Sequence, residues 1–480
     1  MIGRTSCFLL AVLGATLPLS AEDDIALLVS GGTIITMEPG EPEPVEGWMA
    51  VGADGRVLAI GNGEPPADLE PAETLDATGK IIMPGFISAH SHLWSAPFRG
   101  IASESNLYEW IATAHSPFRE YYQEGDFLTY TQYGALDFIS HGITTCYNWV
   151  ANMGHAYDLW MEQFEGQLSM PQRFVFGWAI DTESSESVNR ERLEAFIART
   201  NVLKAQEDHL LDISLSALGL LYGDSEIVFW EGRLMADYGL DAQTHYLEAS
   251  EIKHRQHQEF SILQDAGFIN EQLHIAHFIH TNDYILDSAA EAGVRMAWNP
   301  LSNGRLGSGL ADIPSIRQHG MEVGMGLDGQ ASGDLSDPFE NMRMGLYATR
   351  MKYEDAGVMS PYQVLYLHTI GSAEMLGVDD AVGSLEPGKF ADFLVLDPLE
   401  PDVAPIFDVY GTLVLAMSTR NLESVYIGGD LTYADDAFTA IDFPAIREDA
   451  YRRVERMKGQ LEADGKPVPV PGYAESYHRP

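Results

Sequence analysis

Two histidines separated by one residue, His90 and His92, end an apolar, strand-like run. Side chains alternate between the two faces of an extended strand, so both imidazoles must project from the same face, close enough to hold one metal ion. A lone pair of this kind also occurs by chance on solvated strands. Here, however, His245, His277 and Asp328 each end a later strand-like run. Several strand ends converge at the mouth of a barrel, so this order of residues strongly constrains the fold.

Apolar runs alternate with helical stretches over the middle of the chain. The predicted strands are 85–89, 143–149, 174–180, 211–218, 240–244, 273–276, 294–298 and 323–327. Eight strands with intervening helices predict an α/β protein with a (β/α)8 TIM-like barrel, whose chemistry lies at the carboxyl ends of the strands.

Both ends of the chain have a different, all-β character. Short β-like segments separated by Gly, Pro and Asp occur at 25–38, 48–60 and 73–77, and again at 383–397 and 424–429. We infer one small β-sandwich domain built from both ends, with the barrel inserted between its parts. The predicted boundaries are 1–21 for a signal peptide, 22–84 and 383–440 for the two parts of the sandwich, 85–382 for the barrel, and 441–480 for a C-terminal helix and tail.

Acidic residues greatly outnumber basic ones. The chain has 71 Asp and Glu against 28 Lys and Arg, a formal charge of -43. This charge repels nucleic-acid phosphates and anionic lipids, so we expect no nucleic-acid partner. We interpret it as a solvated surface rather than an acidic binding site.

The first residues are typical of an export signal. Arg4 precedes an apolar segment at 7–19, and Ser20 and Ala21 precede acidic residues. The segment is too short to span a bilayer comfortably, so we expect a periplasmic or secreted protein with no stable membrane insertion after signal removal; a simple membrane anchor is the alternative. Removal would take Cys7 and leave Cys146 without an intramolecular partner, so we expect no internal disulfide.

The strand ends together predict metal-dependent hydrolysis. Three neutral imidazoles and one carboxylate are a suitable ligand set for Zn2+ or Fe2+, with an open position for water. Such an ion can lower the pKa of a bound water to about 7 and make hydroxide available at neutral pH. Hydroxide is then a nucleophile that needs no serine or cysteine.

The combined order of motifs resembles the amidohydrolase superfamily, and within it the mononuclear branch of nucleoside and heterocycle deaminases and chlorohydrolases. The likeness runs from about residue 25 to 430. Its motifs are DATGK at 76–80, PGFI at 84–87, HSH at 90–92, HYLE at 245–248, His277, NPLSN at 299–303, GLDG at 326–329 and ADFLVLD at 391–397. The resemblance implies a barrel capped by a β-sandwich from both termini, a small-molecule substrate and a homo-oligomer, most simply a dimer.

The resemblance also implies roles for individual residues. One divalent metal ion, taken as Zn2+ with Fe2+ as the alternative, would be bound by His90, His92, His245 and Asp328. Binuclear members of the superfamily use a carboxylated lysine at the end of the fourth strand. The run 211–219 contains no lysine, so we expect one ion rather than two.

Three residues would be catalytic. Glu248 would shuttle protons to a ring nitrogen or leaving group, and His277 would polarise the attacked centre or stabilise the developing oxyanion. Asp328 would also accept the proton of the attacking water. His274 and His280 flank His277 and are its alternatives; His277 is preferred because it matches the family element and ends a strand.

The sequence motifs are less specific about which residues contact the substrate. Gly219 stands where nucleoside-type deaminases of this branch carry a substrate-facing histidine, which argues against adenosine-like substrates. Asp137 stands where a glutamate commonly precedes the Gly-x-Thr-Thr element. Candidate substrate contacts are Trp94, Arg99, Trp110 and Asn303. For each of them packing or turn formation is the competing interpretation.

We therefore predict an exported metal-dependent hydrolase that uses metal-bound hydroxide to deaminate a cyclic nitrogen-containing small molecule, or to displace another small group from it. Hydrolysis of an amide, urea or N-acyl amino acid bond is the enzymatic alternative. A second alternative, which is not enzymatic, is that the same barrel only binds a metal ion or a ligand. The presence of Glu248 and His277 favours catalysis, because a binding protein needs no proton shuttle.

Overall fold

The structure is a computed structural model that describes residues 24–150, 157–221, 224–399, 401 and 403–466. The predicted signal peptide and the tail after residue 466 lie outside the described residues. Within the described part, no helix has both the length and the apolar character needed to cross a bilayer.

The strands fall into three groups along the chain. The amino-terminal strands are β1 (Ile25–Ile34), β2 (Val45–Gly52), β3 (Val57–Asn62), β4 (Glu73–Asp76) and β5 (Ile81–Pro84). The middle strands are β6 (Phe86–His92), β7 (Ile143–Trp149), β8 (Arg173–Trp178), β9 (Leu210–Ala217), β10 (Ala242–Tyr246), β11 (Leu273–His277), β12 (Arg295–Trp298), β13 (Val323–Met325) and β14 (Asp328–Gly329). The carboxyl-terminal strands are β15 (Phe393–Leu396), β16 (Leu422–Ile427), β17 (Asp430–Ala434) and β18 (Ala437–Phe438).

Helices separate most of the middle strands. They are α1 (Leu107–Trp110), α2 (Asp126–Ser140), α3 (Tyr157–Leu168), α4 (Glu186–Leu203), α5 (Ser225–Tyr238), α6 (Lys253–Asp265), α7 (Asp283–Glu291), α8 (Pro300–Arg305), α9 (Ile313–Gln318), α10 (Pro338–Tyr353), α11 (Pro361–Leu367), α12 (Ile370–Leu376), α13 (Val409–Leu415) and α14 (Phe443–Ala463). Short 3-10 and π turns lie at Leu93–Phe98, Ile111–His115, Ser116–Tyr121 and Thr419–Asn421.

The two ends of the chain form one mixed sheet, as the sequence predicts. Its order is β18-β17-β16-β15-β5-β1-β2-β3, with β4 beside β1. The two ends meet where β15 runs antiparallel to β5, with Phe393 opposite Pro84. Apolar side chains such as Val29, Met49 and Phe393 bury one face of this sheet in a core of its own.

The middle strands form a curled parallel sheet, which confirms the predicted TIM-like barrel. Its order is β13-β12-β11-β10-β9-β8-β7-β6-β14. Strands such as β7 and β8 are buried along their whole length, as expected when a parallel sheet is covered on both faces. The sequence predicts the last strand as one run at 323–327, but in the structure it is β13 and β14, and the second piece pairs with β6.

The break in the last strand has a steric cause. Gly326 lies between β13 and β14, and a Cβ atom at this position would lie 2.8 Å from the backbone nitrogen of His90. Only glycine permits so close an approach. The chain can therefore bend across the opening of the sheet and bring Asp328 opposite Ser91 of β6.

The C-terminal helix α14 packs on α2, beside the barrel. The sequence predicts a helix from 443 to 464, and the structure has it at Phe443–Ala463. The fully buried carboxylate of Asp126, the first residue of α2, binds Arg453 at 2.9 Å and Arg456 at 2.5 Å. This double ion pair joins the end of the chain to the barrel.

Replacing Asp126 by Ala is expected to destabilise the protein strongly, because both guanidinium groups lose their buried partner. Loss of one partner of a buried pair costs ~3–5 kcal/mol. We expect the lower part of this range, since Arg453 and Arg456 keep 21% and 28% of their side-chain surface exposed and can be hydrated. The matched control is Glu120→Gln, which removes the exposed pair with Lys466 and should cost less than ~1 kcal/mol. Equal midpoints of urea unfolding for the two variants would contradict this.

Candidate active site

Four side chains from three strands converge at the carboxyl end of the barrel. His90 and His92 come from β6, His245 from β10 and Asp328 from β14, and one possible ligand atom of each lies within 4.8 Å of the others. The Nε2 atoms of His92 and His245 are 3.2 Å apart. Oδ1 of Asp328 is 3.2 Å from Nε2 of His92 and 3.4 Å from Nε2 of His90. Within the described residues, no other group of three or more His, Cys, Asp or Glu side chains has such a geometry.

Hydrogen bonds fix the tautomers of the first two imidazoles. Nδ1 of His90 donates to the amide oxygen of Gln243 at 2.6 Å, and Nδ1 of His92 donates to the carbonyl of Trp149 at 3.2 Å. Each Nε2 therefore keeps a free lone pair. Nε2 of His90 is buried and makes no hydrogen bond to any described residue, as expected of an atom that is a metal ligand.

The charges of the cluster also suit a divalent cation. Burial lowers the pKa of His90 and lowers that of His245 well below its usual value, so both imidazoles stay neutral. Burial alone would raise the pKa of Asp328, but polar contacts with His90 and His92 outweigh it and hold that pKa well below its usual value. Neutral imidazoles and an ionised carboxylate are the forms that bind metal. The residues therefore fit the predicted ion.

Glu248 faces the cluster from the turn after β10. Its side chain is buried, and Oε2 lies 3.5 Å from Nε2 of His277. Burial, and then the charge of Asp328, raise the pKa of Glu248 well above its usual value; the hydroxyl of Ser308 offsets part of the rise. The carboxyl group is thus favoured in its protonated form and is placed to give a proton to a bound molecule.

His277 is held as a neutral hydrogen-bond donor. The amide nitrogen of Asn303 donates to Nδ1 of His277 at 2.7 Å, which leaves the proton on Nε2. Burial lowers the pKa of His277 to about 3. His277 and Asp328 both have positive φ, at 74° and 61°. Residues other than glycine seldom adopt this conformation, and such strain is concentrated at functional sites.

A cavity opens in front of these residues. Its lining includes His92, His245, Glu248, His277 and Asp328. The rest of the wall is mostly apolar and is formed by Trp94, Leu107, Trp110, Ile111, Trp149, Leu218 and Leu221, with Ser95, His115, Gly329 and Ser332. The structure therefore brings two of the predicted substrate contacts, Trp94 and Trp110, to the cavity.

The other two predicted substrate contacts lie elsewhere. The guanidinium of Arg99 pairs with Asp137 and also contacts Ser336 at 2.9 Å, and Arg99 is not part of the cavity lining. Asp137, in the place of the expected glutamate, is thus the partner of Arg99. Asn303 contacts His277 instead of facing the cavity, and its role is to orient that imidazole.

Two residues that the sequence analysis missed support the site. Gln243 on β10 accepts from His90 and donates to the carbonyl of Ala89 at 2.9 Å. It lies two residues before His245, so the alternation of side chains in a strand already puts both on one face. The sequence gives no comparable indication that Glu231 supports the site, because this residue lies on a helix, α5, outside the sheet of the barrel.

Glu231 holds the turn that follows β9. Its buried carboxylate accepts the backbone N–H groups of Leu218 at 2.7 Å and Gly219 at 2.9 Å. Gly219 has a φ of 51°, and a Cβ there would lie 2.5 Å from Oγ1 of Thr244. The histidine expected at this position would not fit without a shift of the turn. Leu218 belongs to the cavity wall, so Glu231 fixes part of that wall.

The buried Glu231 should make stability depend on pH. Burial raises its pKa to about 7, although the two backbone N–H groups oppose the rise. Because this folded-state pKa exceeds the ordinary value of 4.5, the folded state binds more protons between these values, and the free energy of unfolding falls as pH rises from about 4.5 to about 7. Relative to Glu231→Gln, the wild type should lose stability from pH 5 to pH 8.

Urea unfolding of both proteins at several pH values measures this difference. In the variant, the amide NH2 of glutamine faces one backbone N–H that needs an acceptor, so Glu231→Gln is less stable than the wild type by an amount that does not depend on pH. The informative quantity is therefore the slope of the free energy of unfolding against pH. The exposed Glu226→Gln on the same helix is the control and should follow the wild-type slope. Parallel profiles for wild type and Glu231→Gln would contradict the prediction.

Comparisons with known proteins agree with this geometry. The model of the amidohydrolase family matches residues 81–432. A 5-methylthioadenosine/S-adenosylhomocysteine deaminase of Bacillus cereus strain AH820 is 27% identical over 405 residues, which cover 83% of this chain and 91% of that protein.

Solved structures share the fold. The crystal structure of an adenosine deaminase from Xanthomonas campestris with bound zinc has a TM-score of 0.77 at 20% identity and covers 91% of this chain and 99% of its own. The zinc complex of atrazine chlorohydrolase from Arthrobacter aurescens TC1 has a TM-score of 0.75 at 21% identity and covers 89% of this chain and 100% of its own. These likenesses support the barrel and the chain-end sheet.

Proposed function

The chain belongs to the amidohydrolase family, and we propose that it removes an amino group by hydrolysis from a small, nitrogen-containing ring. It is a metal-dependent hydrolase of carbon–nitrogen bonds other than peptide bonds. One observation carries the proposal: Glu248 and His277 lie side by side in the cavity that three members of the four-residue cluster, His92, His245 and Asp328, also line. The deaminase name of the curated relative, over 91% of its length, supports the same reaction.

The resident cofactor is proposed to be one zinc ion, with Fe2+ as the alternative, held by His90, His92, His245 and Asp328. Zinc suits an imidazole-rich set with one carboxylate, and the Xanthomonas structure has zinc bound. When bound, such an ion lowers the pKa of water and supplies a nucleophile near neutral pH. Strand β9 contains no lysine, which supports one ion per chain.

The chain's own residues handle the protons. Asp328 takes the proton of the attacking water, while Ser302 donates to Oδ2 of Asp328 and holds this carboxylate in place. Glu248 gives its proton to the ring nitrogen beside the attacked carbon. The Nε2–H of His277 donates to the oxygen as it becomes negative. Asp328 passes the water's proton to the amino group, which leaves as ammonia, while the hydroxyl of the adduct returns a proton to Glu248 and the ring carbon keeps the oxygen.

Export to the periplasm or the medium is a further part of the proposal. It is supported by Arg4, the apolar segment at 7–19 and the small residues before position 22. The mass of the protein recovered from a periplasmic fraction tests it, because cleavage after Ala21 shortens the chain by a defined amount. We also propose a homodimer, which light scattering of the purified protein tests.

A substrate screen tests the reaction. Metal-loaded protein is incubated with aminated heterocycles and nucleosides, halogenated triazines and N-acyl amino acids, and ammonia, halide and free amine are measured together. Ammonia released from a ring compound is the expected result. Halide alone would assign a chlorohydrolase, and free amine with an acid would assign the amide-bond alternative. Each of these two outcomes would overturn the proposed deamination but leave the assignment of the protein as a hydrolase unchanged.

A further inference from the structure

We propose that the ring substrate carries an uncharged, apolar substituent, and that the cavity rejects rings whose substituent carries a carboxylate or phosphate. This inference rests on the proposed deamination. It concerns the part of the substrate that lies away from the attacked carbon, against the apolar wall of the cavity.

Hydrocarbon from separate parts of the chain forms that wall. Leu107 and Ile111 come from α1 and the turn after it, and Leu218 and Leu221 come from the segment after β9. All four side chains remain partly exposed in the empty cavity. An apolar substituent would cover them, and burial of apolar surface is favourable in proportion to the area removed from water.

Two of the three tryptophans of the wall, Trp110 and Trp149, also present hydrocarbon. Trp110 donates its indole N–H to the carbonyl of Ala331 at 2.7 Å, and Trp149 donates its own to the carbonyl of Gln243 at 3.0 Å. The indole ring has no other polar atom. Both rings can therefore contact a ligand only through their carbon atoms and π faces.

The described lining of the cavity contains no lysine or arginine that would bind an anion. The nearby arginines are engaged elsewhere. Arg255 faces the carbonyls of Leu220 and Leu221 and pairs with Glu259 at 3.6 Å. Arg305 pairs with Asp334 at 2.6 Å. The segments 151–156 and 222–223, which adjoin the described wall in sequence, contain no lysine or arginine.

Apart from the proposed metal ion, the charged group that acts on the cavity from its rim is negative. The carboxylate of Glu251 contributes to the raised pKa of Glu248, so its field extends into the site. Glu251 also accepts from Asn106, the residue that caps α1, and thus lies at the same rim as Leu107. The whole chain has a formal charge of -43. On this wall an anionic substituent would lose its hydration without gaining a lysine or arginine of the described lining as counter-charge.

Matched pairs of ligands test the inference. One pair is 5'-methylthioadenosine and 5'-carboxymethylthioadenosine, the second is adenosine and its 5'-monophosphate, and the third is an aminotriazine with either an N-ethyl or an N-carboxymethyl group. Within each pair that is turned over, we expect kcat/KM of the uncharged member to exceed that of the carboxylate or phosphate member by at least tenfold. Equal or better turnover of the anionic member would overturn the inference.

A substitution in the apolar wall tests the role of charge through a gain of activity on anionic substrates. Ile111→Arg places a cation at the half-exposed wall and should raise kcat/KM for the anionic members by at least tenfold, with no rise for the uncharged members. Ile111→Gln is the matched control, because it removes the same apolar surface without adding charge. An equal effect of both variants on the anionic members would contradict a role for charge.

Binding separates this inference from the proposed reaction. If no pair releases ammonia, the proposed function fails, and the thermal shift of the metal-loaded wild type with each member still decides the inference. A larger shift with the uncharged member supports the apolar wall. Equal shifts, or no shift with any member, overturn it.

Discussion

Glu248→Gln is expected to lower kcat by ~10²–10⁴-fold, the usual contribution of general acid–base catalysis, and to leave the metal content unchanged. Glutamine has the same shape as glutamic acid but cannot give a proton to the ring nitrogen. The metal should stay because Glu248 is not one of the four clustered ligands, and its nearest assigned partner is His277 at 3.5 Å. The measurement is steady-state turnover together with metal analysis of the same preparation.

The control for this variant is Glu251→Gln. Glu251 lies three residues further along and is exposed, so Glu251→Gln makes the same side-chain change in the same segment without touching the proton path. Its kcat should stay within a few-fold of wild type. Near-normal activity of Glu248→Gln, or an equal loss in Glu251→Gln, would remove Glu248 from the mechanism.

His90→Ala is expected to abolish both metal retention and activity. Nε2 of His90 is buried, has no hydrogen bond among the described residues and faces the other three ligands, so its loss leaves three donors and a void. Metal binding also stabilises a folded protein, by about 2.7 kcal/mol when the free ion is at 100 times its Kd. Added zinc should therefore raise the melting temperature of the wild type and not that of the variant.

Two further variants serve as an intermediate case and a negative control for the loss of metal binding. Gln243→Ala removes the group that orients His90, and loss of such a group lowers metal affinity by ~10–100-fold. His274→Gln is the negative control, because His274 is a buried histidine outside the cluster that lies 3.2 Å from Arg295. Metal loss in His274→Gln equal to that in His90→Ala would indicate general unfolding rather than loss of a ligand.

Strand ends could be predicted well from sequence, because each apolar run is short, buried and bounded by polar residues. The motif order predicted the four ligands and the neighbouring Glu248. The structure brings the four into one cluster, and His92, His245 and Asp328 line one cavity with Glu248. Small offsets remained at strand boundaries. The fifth strand was predicted at 240–244 and lies at Ala242–Tyr246. The reason is that Thr244, His245 and Tyr246 are polar or amphipathic yet fully within the sheet.

Contacts between distant polar residues could not be predicted in the same way. Asn303 precedes Gly304, a pair typical of a turn and so a sufficient local reason for an asparagine. Nothing local reveals that its amide, which the structure places in α8, reaches Nδ1 of His277. Arg99 looked like a free cation near the site, but Asp137 of α2 neutralises it. A partner 38 residues away lies beyond any local periodicity, so these assignments required the tertiary structure.

The two residue pairs that join β14 to β6 place Asp328 opposite Ser91 and Gly329 opposite His92. The two pairs that close the sheet between its last and first strands are therefore also the pairs that bring Asp328 next to His92. A slip of one residue in this register would turn Asp328 to the opposite face of the sheet, because side chains alternate along a strand. A ligand would then be lost with every side chain intact, so the length of the 326–327 bend is itself a determinant of activity.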